Sequence, residues 1–167
     1  MDKAIEPSPQ LGVLLHVAIA MILGGLIGIE RELAGKPAGL RTQMLVAGVA
    51  TLFMHLGYLL VGSYDAAFSA NTVRSDPVRI LGAIITGVSF LGAGTIFRRP
   101  TSENVEGLTT AACILFSSSI GICVALRQYV LAVGVTLLVL GALRGLGFVE
   151  KVINVARRQR RKILNGS

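Results

Sequence analysis

The residues best suited to chemistry are charges packed into a short break between two apolar runs. The break, "GIERELAGKPAGLRTQ", follows "LGVLLHVAIAMILGGLI" and precedes "MLVAGVATLFMHLGYLLVG". Its charged side chains are Glu30, Arg31, Glu32, Lys36 and Arg41. Such groups can pair with one another, bind an anion or set the orientation of a membrane protein. Arg41 lies where a helix begins, at the positive end of the helix dipole, so we expect a nearby anion: Glu30, a lipid phosphate or a ligand.

Few other residues could carry chemistry. Asp76 precedes a proline and can cap a helix, or act on a solute, and Arg79 lies one turn further on, where it can pair with Asp76. His16 and His55 are the two histidines, and each can serve packing or function. Metal binding by both would require them to meet between two helices, which their spacing does not demand.

Enzymatic chemistry lacks its usual residue patterns. "LAGKPAG" does not have the order of a phosphate-binding P-loop, and no Ser–His–Asp or Cys–His arrangement stands out. Cys113 and Cys123 lie ten residues apart in one apolar run, too far along a helix to form a disulfide. We therefore predict that the chain is not an enzyme and has no cofactor.

The elements that position these residues are membrane helices. Apolar residues make up 53% and charged residues 15% of the 167-residue chain, and the mean hydropathy is +0.70, which exceeds what a soluble domain needs. Because a bilayer leaves open sheet edges unpaired, we predict an all-α integral membrane bundle without other secondary structure. The predicted spans are 11–29, 43–62, 78–97, 107–126 and 129–149, with a tight turn at "RQ" before the last. They form one transmembrane domain, 1–149, followed by a basic tail, 150–167.

The positions of the basic residues predict the orientation. They concentrate in the first break, the third break and the tail, which five spans place on one side of the membrane. The positive-inside rule makes that side cytoplasmic, with the N-terminus outside. Glu30, Arg31 and Arg41 can then meet Arg98 or Glu106 in one cytoplasmic charge cluster that senses a partner or an ion. Interfacial anchoring by the same charges is the alternative.

Small residues recur on single helix faces. Such faces let backbones approach closely in lipid, where the usual hydrophobic drive between helices is absent. We predict close packing there, and a homo-oligomer, with a dimer favoured, because the stripes exceed what a five-helix core requires. The glycines are Gly24, Gly28, Gly87, Gly94, Gly141 and Gly145.

The basic tail raises the question of nucleic acid. The isoelectric point is near 10.1, but the bases follow the last span directly, where each contributes about 1 kcal/mol of attraction to anionic lipid. We therefore expect the tail to bind the lipid bilayer, and no nucleic acid as a partner.

Three ordered blocks resemble the MgtC/SapB family of bacterial inner-membrane proteins. They are "GGLIGIERELAGKPAGLRTQMLV", "DPVRILGAIITGVSFLGAGTIFR" and "VEGLTTAACILFSSSIG". The resemblance implies a five-helix protein of the inner (cytoplasmic) membrane, linked to growth under magnesium limitation and, in some members, to survival in hosts. The longer members have a soluble C-terminal domain, and we expect this chain to be the short form. The recurrent polar positions of the family fall here on Glu30, Arg31, Gly39, Arg41, Thr42, Asp76, Arg79, Gly107, Thr109 and Thr110.

Two classes of function follow from the resemblance and the residues. One is a non-catalytic regulator or sensor that acts through a membrane-protein partner, with Mg²⁺ as a sensed ion. The other is a transporter or channel for an ion or small solute. The spans contain no Asp or Glu, the ligands that Mg²⁺ usually takes from proteins, which favours the first class. Hydroxyls of the fourth span, including Thr109 and Thr110, could instead line a polar path, although such groups commonly bond helix to helix.

Overall fold

Five helices follow one another in the computed structural model, which describes residues 9–67, 77–98 and 105–145, with side chains described at 10–61, 78–97 and 105–145. The helices are α1 (Pro9–Leu33), α2 (Leu40–Ala67), α3 (Pro77–Gly94), α4 (Leu108–Ala125) and α5 (Tyr129–Gly145). Segments of α1, α2 and α4 are long and apolar enough to cross a bilayer, and α3 and α5 contain shorter apolar helices. The expected helical architecture is therefore present.

The helix boundaries differ from the predicted spans at several ends. The first helix runs on to Leu33 instead of ending at 29, and Arg31 in this added turn is buried and hydrogen-bonded to Thr110. The third helix ends at Gly94 instead of 97. The leader 1–8, residues 146–149 and the tail 150–167 lie outside the described residues.

A short antiparallel pair corrects the expectation of helices alone. Phe97–Arg98 forms β1 and Val105–Glu106 forms β2, with Phe97 opposite Glu106 and Arg98 opposite Val105. Backbone groups that leave a helix still need hydrogen-bond partners, and this pair supplies them between α3 and α4. Gly107 then adopts a φ of 92° and lies against the carbonyl of Thr95, where a Cβ would collide.

The first helix ends in a Schellman motif. The amide of Lys36 donates to the carbonyl of Arg31 and that of Gly35 to the carbonyl of Glu32, each at 3.0 Å. Gly35 has a φ of 63°, the left-handed conformation that the motif requires. The chain thus reverses immediately after the charged residues of α1.

The fourth helix ends in the same way without glycine. The amide of Gln128 donates to the carbonyl of Cys123 at 2.8 Å, and that of Arg127 to the carbonyl of Val124 at 2.9 Å. Arg127 takes the left-handed conformation, with a φ of 59°. This motif forms the tight turn predicted at "RQ".

Two apolar clusters place α2 and α4 in the middle of the bundle. Residues of α1 and α5 pack on one side of this pair, and residues of α3 pack on the other. The first cluster includes Ala20, Ala47, Cys113, Ile120 and Ala132, and the second includes Ala50, Met54, Ile84, Val88 and Ile114. Buried polar residues of α1 and α2 such as Arg31, Gln43 and Thr51 therefore meet α4.

Candidate functional site

A buried arginine joins the end of α1 to the start of α4. Arg31 is only 5% exposed, and its Nη2 donates a hydrogen bond to Oγ1 of Thr110 at 3.1 Å. Thr110 is fully buried. A buried guanidinium requires hydrogen-bond acceptors, because an unpaired charge away from water is costly. The arginine is thus a structural link inside the bundle rather than a surface anchor.

Two buried polar atoms beside this link have no hydrogen-bond partner among the described residues. They are Nε of Arg31, a donor, and Oε2 of the neighbouring Glu30, an acceptor. Unpaired polar atoms in a folded core are uncommon and raise its free energy. The end of α1 therefore holds a donor and an acceptor that a different arrangement could satisfy.

A glutamine forms a second link, about two turns further along α4. Gln43 of α2 is fully buried, and its Oε1 accepts a hydrogen bond from Oγ of Ser117 at 2.7 Å. Its Nε2 donates to the carbonyl of Ala38 in the preceding turn at 3.1 Å. One amide side chain thus fixes the turn between α1 and α2 and attaches α2 to α4. We name Arg31, Gln43, Thr110 and Ser117 the interhelical polar cluster.

A third link lies further still along α4. Oγ1 of Thr51 donates to the carbonyl of Gly121 at 2.8 Å and also lies 3.0 Å from the carbonyl of Ala47 in its own helix. All three links run from α1 or α2 to α4. The fourth helix is therefore held by polar bonds along its length as well as by apolar packing.

Glu32 provides the anion that the start of α2 was expected to need. Its Oε2 accepts a hydrogen bond from the amide of Leu40, the first residue of α2, at 3.0 Å. A carboxylate at this end satisfies an unpaired amide and complements the positive end of the helix dipole. The sequence argument named Glu30, a lipid phosphate or a ligand, whereas the structure has Glu32 in this place.

The predicted glycine faces fall into two groups. A Cβ on Gly24 would lie 2.6 Å from the carbonyl oxygen of Gln43, and one on Gly28 would lie 2.6 Å from Cα of Leu40. These two glycines allow α1 and α2 to approach closely. The other four are exposed and have no described atom within 4 Å of such a Cβ, so close packing at them stays a prediction: Gly87, Gly94, Gly141 and Gly145.

The remaining candidates of the charge cluster lie at the same end of the bundle but on its surface. Arg41 and Thr42 on α2 are exposed, and Glu106 is half-buried. Thr109, which was predicted as a polar position of the fourth span, is exposed on α4. The side chain of Arg98 lies outside the described residues. Of the predicted site residues, the structure brings Arg31 into contact with Thr110. That Glu30, Arg31 and Arg41 meet Arg98 or Glu106 in one charge cluster stays a prediction.

The predicted pair near the start of α3 is only partly described. Arg79 is exposed on the first turn of α3, and Asp76 lies outside the described residues. The two cysteines are free, as expected from their spacing. In the part of the chain that the structure describes, no group of three or more His, Cys, Asp and Glu side chains is arranged to hold a metal ion.

Two polar pairs were not predictable as contacts: Gln43 with Ser117, which the sequence did not single out, and His16 with His55, which it did. Gln43 and Ser117 carried a weak signal, an amide and a hydroxyl inside apolar runs, but the sequence did not show that they face each other. His16 and His55 do meet between α1 and α2, with Nδ1 of His16 3.0 Å from Nε2 of His55. Spacing alone could not show this, because 39 residues separate them.

Comparison with known proteins decides the family. The MgtC family matches residues 17–152. The chain belongs to the MgtC family. The residues of the interhelical polar cluster all lie within the matched range. No solved structure matches the chain.

Named relatives are similar over most of this chain but are longer. The protein MgtC of Salmonella typhimurium is 39% identical over 129 residues, which are 77% of this chain and 50% of that protein. YhiD of Escherichia coli K12, whose name proposes magnesium transport, is 36% identical over 159 residues, 92% of this chain and 70% of that protein. A Haemophilus influenzae protein is 35% identical over 156 residues, 93% of this chain and 64% of its own length. The chain spans between half and 70% of these relatives.

Proposed function

We propose that this MgtC-family chain is a non-catalytic regulator of the bacterial inner membrane, linked to magnesium limitation and acting through a membrane-protein partner. The observation that supports this proposal most is the use of the polar groups of α4. Those described as buried make hydrogen bonds to α1, to α2 or within α4 itself. The transport of an ion or small solute is the competing function, and the name of YhiD favours it.

The hydroxyls of α4 show this use individually. Thr110 accepts from Arg31, and Ser117 donates to Gln43. Ser118 and Ser119 donate to the carbonyl of Leu115 in their own helix, each at 2.9 Å. A hydrated ion needs oxygen ligands that are free to bind it. Those of α4 that are described as buried already have partners.

The surface of the same end offers a place for a partner. Arg41, Thr42 and Thr109 are exposed there, next to the buried link between Arg31 and Thr110. A partner or a sensed Mg²⁺ that binds there would change the position of α1. The movement would bring the unpaired atoms of Glu30 and Arg31 into new hydrogen bonds. The free energy of those bonds would favour the bound arrangement of the helices. We therefore assign the exposed residues to binding and the buried ones to the response.

A charge reversal tests this assignment. Arg41→Glu should abolish growth in low magnesium of a strain that depends on this protein, while membrane insertion stays intact because the other bases still set the topology. Lys36→Glu, another exposed base in the same break, is the matched control and should retain growth. If Arg41→Glu supports full growth at normal protein levels, Arg41 does not bind the partner.

Flux measurements separate the two functions. Proteoliposomes that contain only this protein should show no more Mg²⁺ uptake than empty liposomes. Uptake that depends on the protein and disappears in Ser117→Val would instead establish transport through the region beside α4.

The regulator proposal includes five spans with the N-terminus outside. Single cysteines at positions 63 and 128, in a chain whose Cys113 and Cys123 are replaced by alanine, should react with an impermeant reagent in intact cells. A cysteine at position 36 should react only after permeabilisation. Reaction at position 36 from outside would reverse the proposed orientation.

We also propose that the chain forms a homo-oligomer, with a dimer favoured. The open glycines Gly87, Gly94, Gly141 and Gly145 support this, because they leave close-approach faces on α3 and α5 uncovered. Gly141→Leu with Gly145→Leu should reduce the oligomer size in mild detergent. An unchanged size would place these faces against lipid.

A further inference from the structure

Three side chains from three helices form a hydrogen-bonded chain that the proposed function does not use. Nδ1 of His16 on α1 lies 3.0 Å from Nε2 of His55 on α2. On its other side, Nε2 of His16 lies 2.7 Å from the hydroxyl of Tyr129 at the start of α5. His16 thus uses both ring nitrogens, one toward each neighbouring helix.

The two imidazoles meet through their edges. Their planes are within 6° of parallel and their centroids are 5.0 Å apart, whereas the facing nitrogens are only 3.0 Å apart. In rings stacked face to face, the distance between centroids is about the same as the distance between the nearest atoms. Here the centroids are much farther apart than the facing nitrogens, so the rings meet at the edges that carry these nitrogens. This arrangement suits one proton held between two nitrogen lone pairs.

When both imidazoles are uncharged, the two hydrogen bonds can run in either direction between Tyr129 and His55. The hydroxyl of Tyr129 can donate to His16, and His16 then donates through Nδ1 to His55. Alternatively His55 donates through Nε2 to His16, and His16 donates through Nε2 to the oxygen of Tyr129. Both arrangements place one hydrogen in each gap, so the tautomers of the two rings are coupled.

One extra proton, taken from water, fits the same geometry. A cationic His16 donates to His55 through Nδ1 and to the oxygen of Tyr129 through Nε2. If the cation is His55 instead, its Nε2–H donates to Nδ1 of His16, and His16 still donates to Tyr129. The charge can therefore sit on either ring without breaking a hydrogen bond.

A second extra proton does not fit. It would place an N–H on each of the facing nitrogens, and two hydrogens cannot share a 3.0 Å gap between two cations. Arg127, in the turn between α4 and α5, adds a further positive charge near His55. Among the described residues, the groups that face the pair are thus Tyr129 on α5 and Arg127 in that turn.

We propose that His16, His55 and Tyr129 form a proton-binding site that takes up one proton with the helices in contact and a second only when α1 separates from α2. The inference is independent of the magnesium-linked function. Histidine changes its charge near neutral pH, so the site responds to the pH at the end of the bundle where α1 begins. In the proposed orientation this end faces the outside.

The helices should respond together, because the site joins three of them. His16 is 9% exposed. Ala132 and Val139 of α5 pack against residues of α1 and α4 in the first apolar cluster. The neutral and singly protonated forms keep all contacts. Separated rings bind the second proton more tightly than the closed pair, so the stability of the bundle falls as the pH drops below the ordinary histidine range and is lowest beyond the second step, where repulsion between the two cations opposes closure.

Nitrogen-15 NMR of the full chain in phospholipid nanodiscs tests the site directly. The chain has two histidines, so selective labelling reports only these rings. The nitrogens of both rings should shift together in the first step, and a second step should follow at least about one pH unit lower, a tenfold difference in proton affinity. In His16→Gln or His55→Gln, the remaining ring should titrate in a single step.

The tyrosine gives a matched comparison. Tyr129→Phe removes the acceptor of a cationic His16, so its first step should move to lower pH. Tyr58 on α2 is about as exposed as Tyr129 but takes no part in these hydrogen bonds, so Tyr58→Phe should leave both protonation steps unchanged. The midpoint temperature of thermal unfolding of the wild-type protein should decrease as the pH is lowered toward the second protonation step. In His55→Gln, which lacks the second cation, it should not decrease in this way.

Two results would overturn the proposal. One is wild-type rings that titrate independently, each at the midpoint that it has in the single variants. The other is Zn²⁺ at neutral pH shifting the facing nitrogens and abolishing both steps, which would make the pair a metal site. The wild-type titration decides even if a glutamine variant does not fold.

Discussion

Arg31 on α1 donates a hydrogen bond to Thr110 on α4 across 79 positions of the sequence, and both side chains are buried. The bond determines how the charged break between α1 and α2 is arranged. With Arg31 turned inward, the residues after it reverse in a Schellman motif and Glu32 is left to cap α2. The charges of the break therefore have separate structural roles, although they adjoin in the sequence.

The Arg31–Thr110 pair should show energetic coupling. Thr110→Val keeps the side-chain shape but removes the acceptor, and should destabilise the protein by about 1–3 kcal/mol because the guanidinium loses a buried partner. Arg31→Met should make the further change Thr110→Val nearly neutral, a coupling of about 0.5–3 kcal/mol. Thermal unfolding of the four proteins in detergent measures this. Thr109→Val, at the exposed neighbouring position, is the control, and an equal loss there would exclude a specific bond.

The glutamine link should depend on Ser117. Ser117→Ala removes the hydrogen-bond donor to Oε1 of Gln43 and should cost about 1–3 kcal/mol, because the amide oxygen is then buried without a partner. Ser119→Ala removes a hydroxyl that is exposed and bonded only to its own helix, and should change stability by less than about 0.5 kcal/mol. Similar effects of the two substitutions would show that the link to α2 contributes nothing.

Glycines in the close contact of α1 and α2 should not tolerate a methyl group. Gly24→Ala and Gly28→Ala place a Cβ within 2.6 Å of the backbone of the second helix and should destabilise by about 1–3 kcal/mol through overpacking. Gly87→Ala and Gly141→Ala meet no atom of the described residues within 4 Å, so in a monomer they should be neutral or stabilise by up to about 1 kcal/mol through helix propensity, whereas in the proposed oligomer they should destabilise. Destabilisation by the second pair in a detergent melt would indicate that those faces are covered by another copy of the chain.

Much of the helical architecture was predictable from the sequence, because long apolar runs have one solution in a bilayer. The apolar runs predicted five helices, and the pair "RQ" predicted the tight turn before α5. The residues that deviate are those whose environment depends on a neighbouring helix. Leu33 ends α1 later than predicted because Glu30 and Arg31 could turn inward only with α4 there to receive them.

The candidate site was predictable from the sequence only in part: Arg31 and Thr110 were candidates, whereas Gln43 and Ser117 were not, and none of the contacts was predictable. Arg31 and Arg41 lie at the same end of the bundle, yet charge alone does not distinguish a buried guanidinium such as that of Arg31 from the exposed one of Arg41. Likewise, nothing local to His16 or His55 indicates which faces of α1 and α2 cross. Those relations depend on helix packing, which close-approach glycines such as Gly24 allow but do not by themselves specify.

The carboxylate at the start of α2 should stabilise through both its charge and its hydrogen bond. Glu32→Gln keeps an acceptor for the amide of Leu40 but removes the charge, and Glu32→Ala removes both. The loss of a helix cap typically costs about 1 kcal/mol. We expect alanine to destabilise by about that amount and glutamine by less, with the glutamine effect shrinking at high salt. If Glu32→Ala melts at the wild-type temperature, the cap contributes nothing.

The turn between α4 and α5 should accept glycine better than the residue it has. Arg127 occupies the left-handed position of a Schellman motif with a φ of 59°, where a Cβ is strained by about 1–2 kcal/mol and glycine is not. Arg127→Gly should therefore raise the free energy of unfolding by about 1 kcal/mol, after allowance for the greater entropy of glycine in the unfolded chain. Arg127→Ala removes the same charge but keeps the Cβ, and it should not stabilise. Equal stabilisation by both substitutions in detergent melts would mean that the charge beside His55, not the backbone conformation, limits the stability of this turn.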